Sequence, residues 1–365
     1  MAFESGSISC RLYYLQGRMP EDAVRRFAAH AAPPLETLGA EPLSGWVTGR
    51  HLLDRRIEED TAFVAGYLRL TLMTAQRKVP EALLRAECRM EELAALEAEG
   101  GAFLKRERRA EIRKQVYDRL LPTMPPTLKG IPLVYDRQSE TVYAGALSDK
   151  QSDALTLAFK QAVGATLIPA TPAAVALKRR RVNARDLAPC SFSPEFDDEL
   201  ASDSLGQDFL TWLWFYAETR GGLIRTDRGE FGVLIEGPLQ LVLEADGAYE
   251  TILRKGTPLV SAEAKTALLS GKKLKSARLT LARGEEPWSA RLDADEFLLR
   301  GLKLPPDQAT DPVSRFQERM LRLDTFREAL WQCYDLFLGE RADGAVWKDV
   351  LREARAWVAK RVAKK

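Results

Sequence analysis

The stretch from Val79 to Pro122, VPEALLRAECRMEELAALEAEGGAFLKRERRAEIRKQVYDRLLP, decides how the rest of the chain is divided. Two charged helical segments flank Gly100 and Gly101, and the sign of the charge changes between them. The first carries Glu87, Glu91, Glu92, Glu97 and Glu99; the second carries Lys105, Arg106, Arg108, Arg109, Arg113, Lys114 and Arg119. Large apolar residues are few on both, so the pair predicts a polar helical arm projecting from a domain rather than a piece of its core. Two roles stay open. The arm is a solvated pair held by i,i+4 and cross-helix ion pairs, or its basic helix meets phosphates and its tip meets a partner.

Strand and helix patterns lie on both sides of the arm. Ile8 to Leu15 reads as a strand, Pro20 opens a helix to about Ala31, and Gly45 to Gly49 is a short strand or turn. Phe63 to Met73, FVAGYLRLTLM, alternates as one half-buried strand. Beyond the arm, Gly130 to Tyr135 and Glu140 to Ala146 form a hairpin. Ser148 caps a helix from Asp149 to about Val163, and Thr166 to Pro169 is a strand. The arm is therefore an insertion in an α+β domain.

A second α+β region follows a connection. Lys178-Arg179-Arg180-Arg181 is a basic run, and Pro189 to Ser204 is rich in Ser, Pro and acids. Expected strands are Gly232–Glu236, Leu239–Ala245, Lys275–Ala282, Trp288–Leu292 and Phe297–Leu302, with a helix Ala262–Leu269 behind Ser261. From Val313 onward Phe316, Met320, Phe326, Leu330, Tyr334 and Phe337 recur near helical spacing. The last turns are basic, with Arg352, Arg355, Lys360, Arg361, Lys364 and Lys365. The reading is α+β: a discontinuous central domain (1–79 and 122–177), a helical tip (80–121), a linker or insertion (178–205), an α+β base domain (206–304) and a C-terminal helical extension (305–365).

The 365 residues are 45% hydrophobic, ample for real cores, and carry a formal net charge of only +2. A polyanion partner must then be argued from local clustering. Cys10, Cys88, Cys190 and Cys333 form no CxxC pair, which argues against a zinc site or disulfide framework. No signal peptide is visible, and the longest apolar run, Phe209 to Ala217, is too short to span a bilayer. These features predict a soluble cytoplasmic protein without a membrane partner.

Local basic clusters carry the functional reading. In Gly271-Lys272-Lys273-Leu274-Lys275-Ser276-Ala277-Arg278-Leu279-Thr280-Leu281, the apolar Ala277, Leu279 and Leu281 take one face of a strand. Arg278 and Thr280 take the other, beside the lysines. Such a strand suits a phosphate backbone; equally, lysines protect an edge strand from aggregation. The aromatic run Trp212, Trp214, Phe215 and Tyr216 is either a base-stacking platform or core, and core is preferred because no basic residue interrupts it. Lys178 to Arg181 is preferred as an ordinary basic linker over a nucleic-acid contact.

Catalytic patterns are thin. His30 and His51 stand without an acid or Cys at telling spacing, and neither GxxxxGK[ST] nor a strand-borne GxGxxG occurs. Asp246 with Glu263 and Lys265 loosely fits the acid…ExK arrangement that holds Mg²⁺ for phosphodiester cleavage. Against that, Glu263 also suits the first turn of a helix. No cofactor is implied, and the chain is expected not to be an enzyme.

Taken in order, these segments resemble the bacterial recombination-associated protein RdgC family. The likeness rests on Gly45-Trp46-Val47, on Arg77-Lys78-Val79-Pro80, and on the arm ending in Leu120-Leu121-Pro122. It extends through the hairpin, helix and strand from Ile131 to Pro172. It continues more weakly through Thr211-Trp212, Gly271-Lys272 into Ser276 to Leu281, and Leu302-Lys303, covering about residues 1 to 304. The resemblance implies a central domain, an inserted tip and a base domain. It also implies a homodimeric ring closed tip to tip and base to base, and a positively charged hole that holds duplex DNA without sequence preference. The bound protein would restrain recombinase filaments on the nucleoid. An exonuclease label attaches to the family, without a motif that establishes catalysis. The chain departs from the pattern at 178–208, in the tail from Asp311, and at Thr123-Met124-Pro125-Pro126. By charge and place, the DNA-binding candidates are Lys272, Lys273, Lys275 and Arg278, then Arg108, Arg109, Arg113 and Lys114 of the arm. The alternatives are a Mg²⁺-dependent nuclease and a protein-interaction module that does not bind DNA.

Overall fold

Strand β1 (Ile8–Gln16) is shared between two halves of one sheet. Its first residues pair antiparallel with a strand from far down the chain, Ile8 opposite Leu302 and Cys10 opposite Leu299. Its later residues pair with the Thr141–Ala144 strand, Arg11 opposite Ala144 and Tyr13 opposite Val142. The computed structural model describes residues 3–100, 103–243 and 249–360, with Glu99 by its backbone alone. The end of the expected strand at Ala245, Asp246, and the terminal Arg361, Lys364 and Lys365 lie outside the described residues.

The first half continues with α1 (Ala23–Ala29), β2 (Leu43–Thr48), α2 (Glu59–Ala62), β3 (Phe63–Val64) and β4 (Tyr67–Gln76). The arm follows as α3 (Glu81–Glu99) and α4 (Arg106–Leu120), then β5 (Thr127–Asp136), β6 (Thr141–Ala144), α5 (Asp149–Val163), β7 (Thr166–Pro169) and α6 (Pro172–Arg180). The second half comprises α7 (Leu205–Thr219), β8 (Leu223–Thr226), β9 (Gly229–Leu243), β10 (Tyr249–Leu253) and α8 (Ala262–Leu269). It closes with β11 (Lys273–Arg283), β12 (Glu286–Asp293), β13 (Leu298–Lys303), α9 (Pro312–Arg341) and α10 (Gly344–Lys360). The sheet order is β10-β9-β11-β12-β13-β1-β6-β5-β4-β2. The fold is mixed α+β, as the sequence predicts.

Three local expectations change. The single strand from Phe63 to Met73 is a hairpin, because Ala65 and Gly66 both take positive φ (51° and 86°) and turn the chain between Val64 and Tyr67. The strands expected at Gly232–Glu236 and Leu239–Ala245 are one strand, β9. Lys178 to Arg180 end helix α6 instead of opening a linker: Arg179 forks onto Asp335 of α9 at 2.6 and 3.1 Å, and Lys178 lies 3.8 Å over the Tyr14 ring. Burial pushes the Lys178 ammonium below its ordinary value.

Packing shows why the halves hold together. On one face of the first half, Tyr13, Leu70, Leu133 and Val142 lie under α1 and α5, with Phe27, Trp46 and Phe159 in edge-on contact. The opposite face, with Leu12, Val134 and Tyr143, belongs to the same core as the second half. Helix α9 crosses it. The Tyr143 hydroxyl donates to Asp324 at 3.2 Å, Arg327 donates to Thr141 Oγ1 at 2.7 Å, and Phe316 meets Tyr67 edge-on at 6.0 Å. Along the same helix Phe316, Met320, Leu323, Phe326, Leu330, Tyr334 and Phe337 are buried. The C-terminal helices predicted from the sequence are thus present, but they are core rather than an appendage.

The arm has a small core of its own: Leu84, Cys88, Leu104, Ile112, Val116 and Leu121. Its charges pair across the two helices. Arg113 meets Glu81 at 3.2 Å, and Arg119 meets Glu87 at 3.0 Å and Glu91 at 2.9 Å. Residues 184–204 form an irregular strap. Ser193 Oγ donates to Leu269 O, Arg355 to Ser191 O, and Phe192 packs on Trp347. Among the described residues no helix is long and apolar enough to cross a membrane.

Candidate nucleic-acid interface

The second half of the sheet is covered on one side only. Phe231, Ile235, Leu239, Leu279, Leu281, Trp288, Ala290 and Leu292 are buried under α7 to α10. Trp212, Trp214 and Phe215 of α7 lie in that core at 0–1% exposure, so the aromatic run is core and not a stacking platform. The alternate residues of β9, β11, β12 and β13 form the other face, which no described element covers. Leu234, Arg278, Arg300 and Lys303 are exposed there.

Register brings three arginines together on this face. Arg278 of β11 stands opposite Arg291 of β12, and Arg291 opposite Arg300 of β13. Residues facing each other across antiparallel strands have Cβ atoms ~4.5–5.5 Å apart, where like charges repel. Arg291 is fixed by neutral acceptors: its Nε donates to Ser276 Oγ at 2.8 Å and a terminal nitrogen to Gln240 Oε1 at 3.0 Å. Arg300 donates to the Leu147 carbonyl at 3.2 Å. The row ends at Glu236 of β9, opposite Arg278, whose carboxylate accepts from Thr280 Oγ1 at 3.0 Å. Next along the strands stand Thr280, Ser289 and Lys303, also in register. The named residues of this face include no aromatic.

The other lysines chosen from the sequence do not share this face as a set. Lys273 is 1% exposed; its ammonium donates to Ser202 O and pairs with Asp208, itself joined by Arg341 at 3.4 Å. It cannot reach a nucleic acid. Alternation accounts for this: steps of two back from the buried Leu279 and Ala277 put Lys273 on the core side of β11, not beside Arg278. Lys272 donates to Thr251 Oγ1 at 2.6 Å, and Lys275 pairs with Asp295 at 3.1 Å. Arg278 alone of the four stands in the row. In the arm, Arg108 pairs with Glu111 at 2.8 Å and Arg113 with Glu81, while Arg109 and Lys114 are exposed.

Carboxylates flank the row at the β12–β13 turn. Burial, then Asp295, raises Asp293 above the ordinary carboxylate range, with Lys275 opposing. Burial likewise raises Glu296, against the pull of Arg11. Of the nuclease set, Asp246 lies outside the described residues. Lys265 Nζ donates to the Ala359 carbonyl, and Glu263 sits in the first turn of α8, behind the Ser261 cap. Among the described residues no group of three or more His, Cys, Asp or Glu side chains converges on a metal position. An open groove of about 590 Å³ between α7 and α10 is walled by Phe215 and Trp357. Several of its charges are engaged within the protein: Arg220 pairs with Glu340 and Glu353, and Glu218 accepts from the Trp214 and Trp357 indoles. Burial pushes the thiol of Cys190, beside Asp208, up to about 12, so it is no nucleophile at neutral pH.

Residues 13–188 match the family described as "Putative exonuclease, RdgC". Through this segment the chain is similar to the RdgC family, a recombination-associated family. The match takes in the last four residues of β1, the arm and α6, and stops within the strap. The strands that carry the arginine row lie beyond it. No curated protein matches the chain.

Proposed function

We propose that this protein binds double-stranded DNA without sequence preference, and that two copies form a ring or clamp that modulates recombination or replication on the nucleoid. One observation carries the reading: a sheet face left uncovered by the described elements, with three arginines in register. Mutual repulsion makes that row unfavourable alone and favourable against a polyanion. Phosphate contacts fix position without reading bases, which accounts for the lack of sequence preference. Similarity to the family supports the recombination setting. Restraint of recombinase filaments, and the cytoplasmic, nucleoid location, follow from the same reading. The binding is electrostatic and needs no cofactor.

An electrophoretic shift with two unrelated duplexes of equal length tests it. Equal affinity for both, falling steeply with salt, is the expected result. Absence of binding even at low salt would instead favour a protein-interaction module. The family description keeps a nuclease reading in view. Incubation of end-labelled duplex with Mg²⁺ decides that point: intact label supports a binding protein, and nucleotide release abolished in Glu263→Gln supports the nuclease. Solution mass tests the pair of copies, because a monomer excludes a ring.

A further inference from the structure

From the register of β11, β12 and β13 we infer that Arg278, Arg291 and Arg300 seat a single phosphodiester strand of a duplex, running at right angles to the sheet strands. The inference rests on the DNA-binding reading and gives it a site and a path. Adjacent strands lie ~4.8 Å apart, so the row spans about 10 Å. A DNA strand presents a phosphate about every 3.4 Å along the duplex axis but winds round that axis, so its successive phosphates lie further apart and about two of them face the row. The direction of the path follows from its ends. Glu236 closes the β9 end with a carboxylate opposite Arg278. At the other end Arg300 reaches the Leu147 carbonyl, beside the first turn of α5, where Lys150 is exposed and the exposed Asp149 carboxylate is paired with Arg11. The strand therefore enters over α5 and β13 and stops short of β9.

Duplex is favoured over single strand by what this face contains. Sequence-tolerant binding of single strands draws on aromatic side chains that stack bases. The row and its neighbours Thr280, Ser289 and Lys303 offer guanidinium, hydroxyl and ammonium groups instead. Arg291 is the fixed member, since its bonds to Ser276 and Gln240 hold the guanidinium in place before any ligand arrives.

The test is the salt dependence of binding to a mixed-sequence duplex and to its separated strand, for the full chain and its variants. Each of Arg278→Ala, Arg291→Ala and Arg300→Ala should lower the slope of log K against log salt by about 0.9. Arg291→Lys should keep most of the slope, separating lost charge from a disturbed fold. Glu236→Gln should tighten binding. Full wild-type slope in the triple alanine variant, with the duplex still bound, overturns the path and leaves DNA binding standing. Equal or tighter binding of the single strand overturns the duplex assignment. Absence of duplex binding by the wild type at low salt overturns both the path and the reading beneath it.

Discussion

The ammonium of Lys273 lies 2.5 Å from the Asp208 carboxylate, with both side chains 1–2% exposed, where β11 meets α7. Arg341 of α9 and the Ser202 carbonyl of the strap complete the arrangement. A lysine that looks like a phosphate ligand in the sequence is a fastening where four parts of the fold meet.

Removing Lys273 leaves the buried Asp208 carboxylate to Arg341 at 3.4 Å, a longer and weaker pair. Lys273→Met should therefore destabilise the protein by about 3–5 kcal/mol. Asp208→Asn, which leaves both cations facing a neutral group, should act in the same direction. Urea unfolding of each variant provides the check. Once folded, Lys273→Met should bind duplex as the wild type does.

Helix α9 supplies the layer that joins the two halves of the sheet. Burial of each large apolar side chain contributes about 1.5–3 kcal/mol, and Phe316, Met320, Leu323, Phe326, Leu330, Tyr334 and Phe337 are all buried. Their sum, roughly 10–20 kcal/mol, is as large as the ~5–15 kcal/mol by which a typical domain is stable. A chain ending at Leu304 should show no cooperative thermal transition by circular dichroism. A shortened chain that melts sharply would mean that α9 is dispensable.

Some of this is legible in the sequence. Ser148 and Ser261 accept hydrogen bonds from Gln151 and Ala264, as good N-caps do, and α5 and α8 run where those serines place them. Helix α7 is harder to see because Leu205 to Phe215 are all buried, Gln207, Asp208 and Thr211 included, so no polar face marks its period. The arginine row is hidden for another reason. Arg278, Arg291 and Arg300 sit on three strands, and only register joins them. A signal does exist: Arg278 and Arg291 are equally far from the Gly284–Glu285 turn, whose flanks pair Arg283 with Glu286.

The arm's charges are mostly spent on one another. Arg119 is 54% exposed, so its pairs with Glu87 and Glu91 are screened, and Arg119→Ala should cost less than about 1 kcal/mol. Reversing Arg109 and Lys114 to Glu should weaken duplex binding less than reversing Arg278 and Arg300. Titrations of the two double variants at one salt concentration compare them directly.

Asp293 gives a pH dependence whose sign can be worked out. Its folded pKa lies above the ordinary carboxylate value, so the folded state takes up the proton first. Stability is then lost as pH rises through the window from the unfolded to the folded value. At neutral pH the ionised, half-buried carboxylate is a liability, and Asp293→Asn should raise the melting temperature. The gain should shrink as pH falls toward ~4. Melting curves at several pH values show whether it does.

The central claim is electrostatic binding of duplex DNA, and an affinity measurement across a salt series tests it most directly. The account predicts that a mixed-sequence duplex binds at low salt, and that affinity falls by orders of magnitude between about 50 and 200 mM. Binding indifferent to salt, or no binding at the lowest salt, would contradict it.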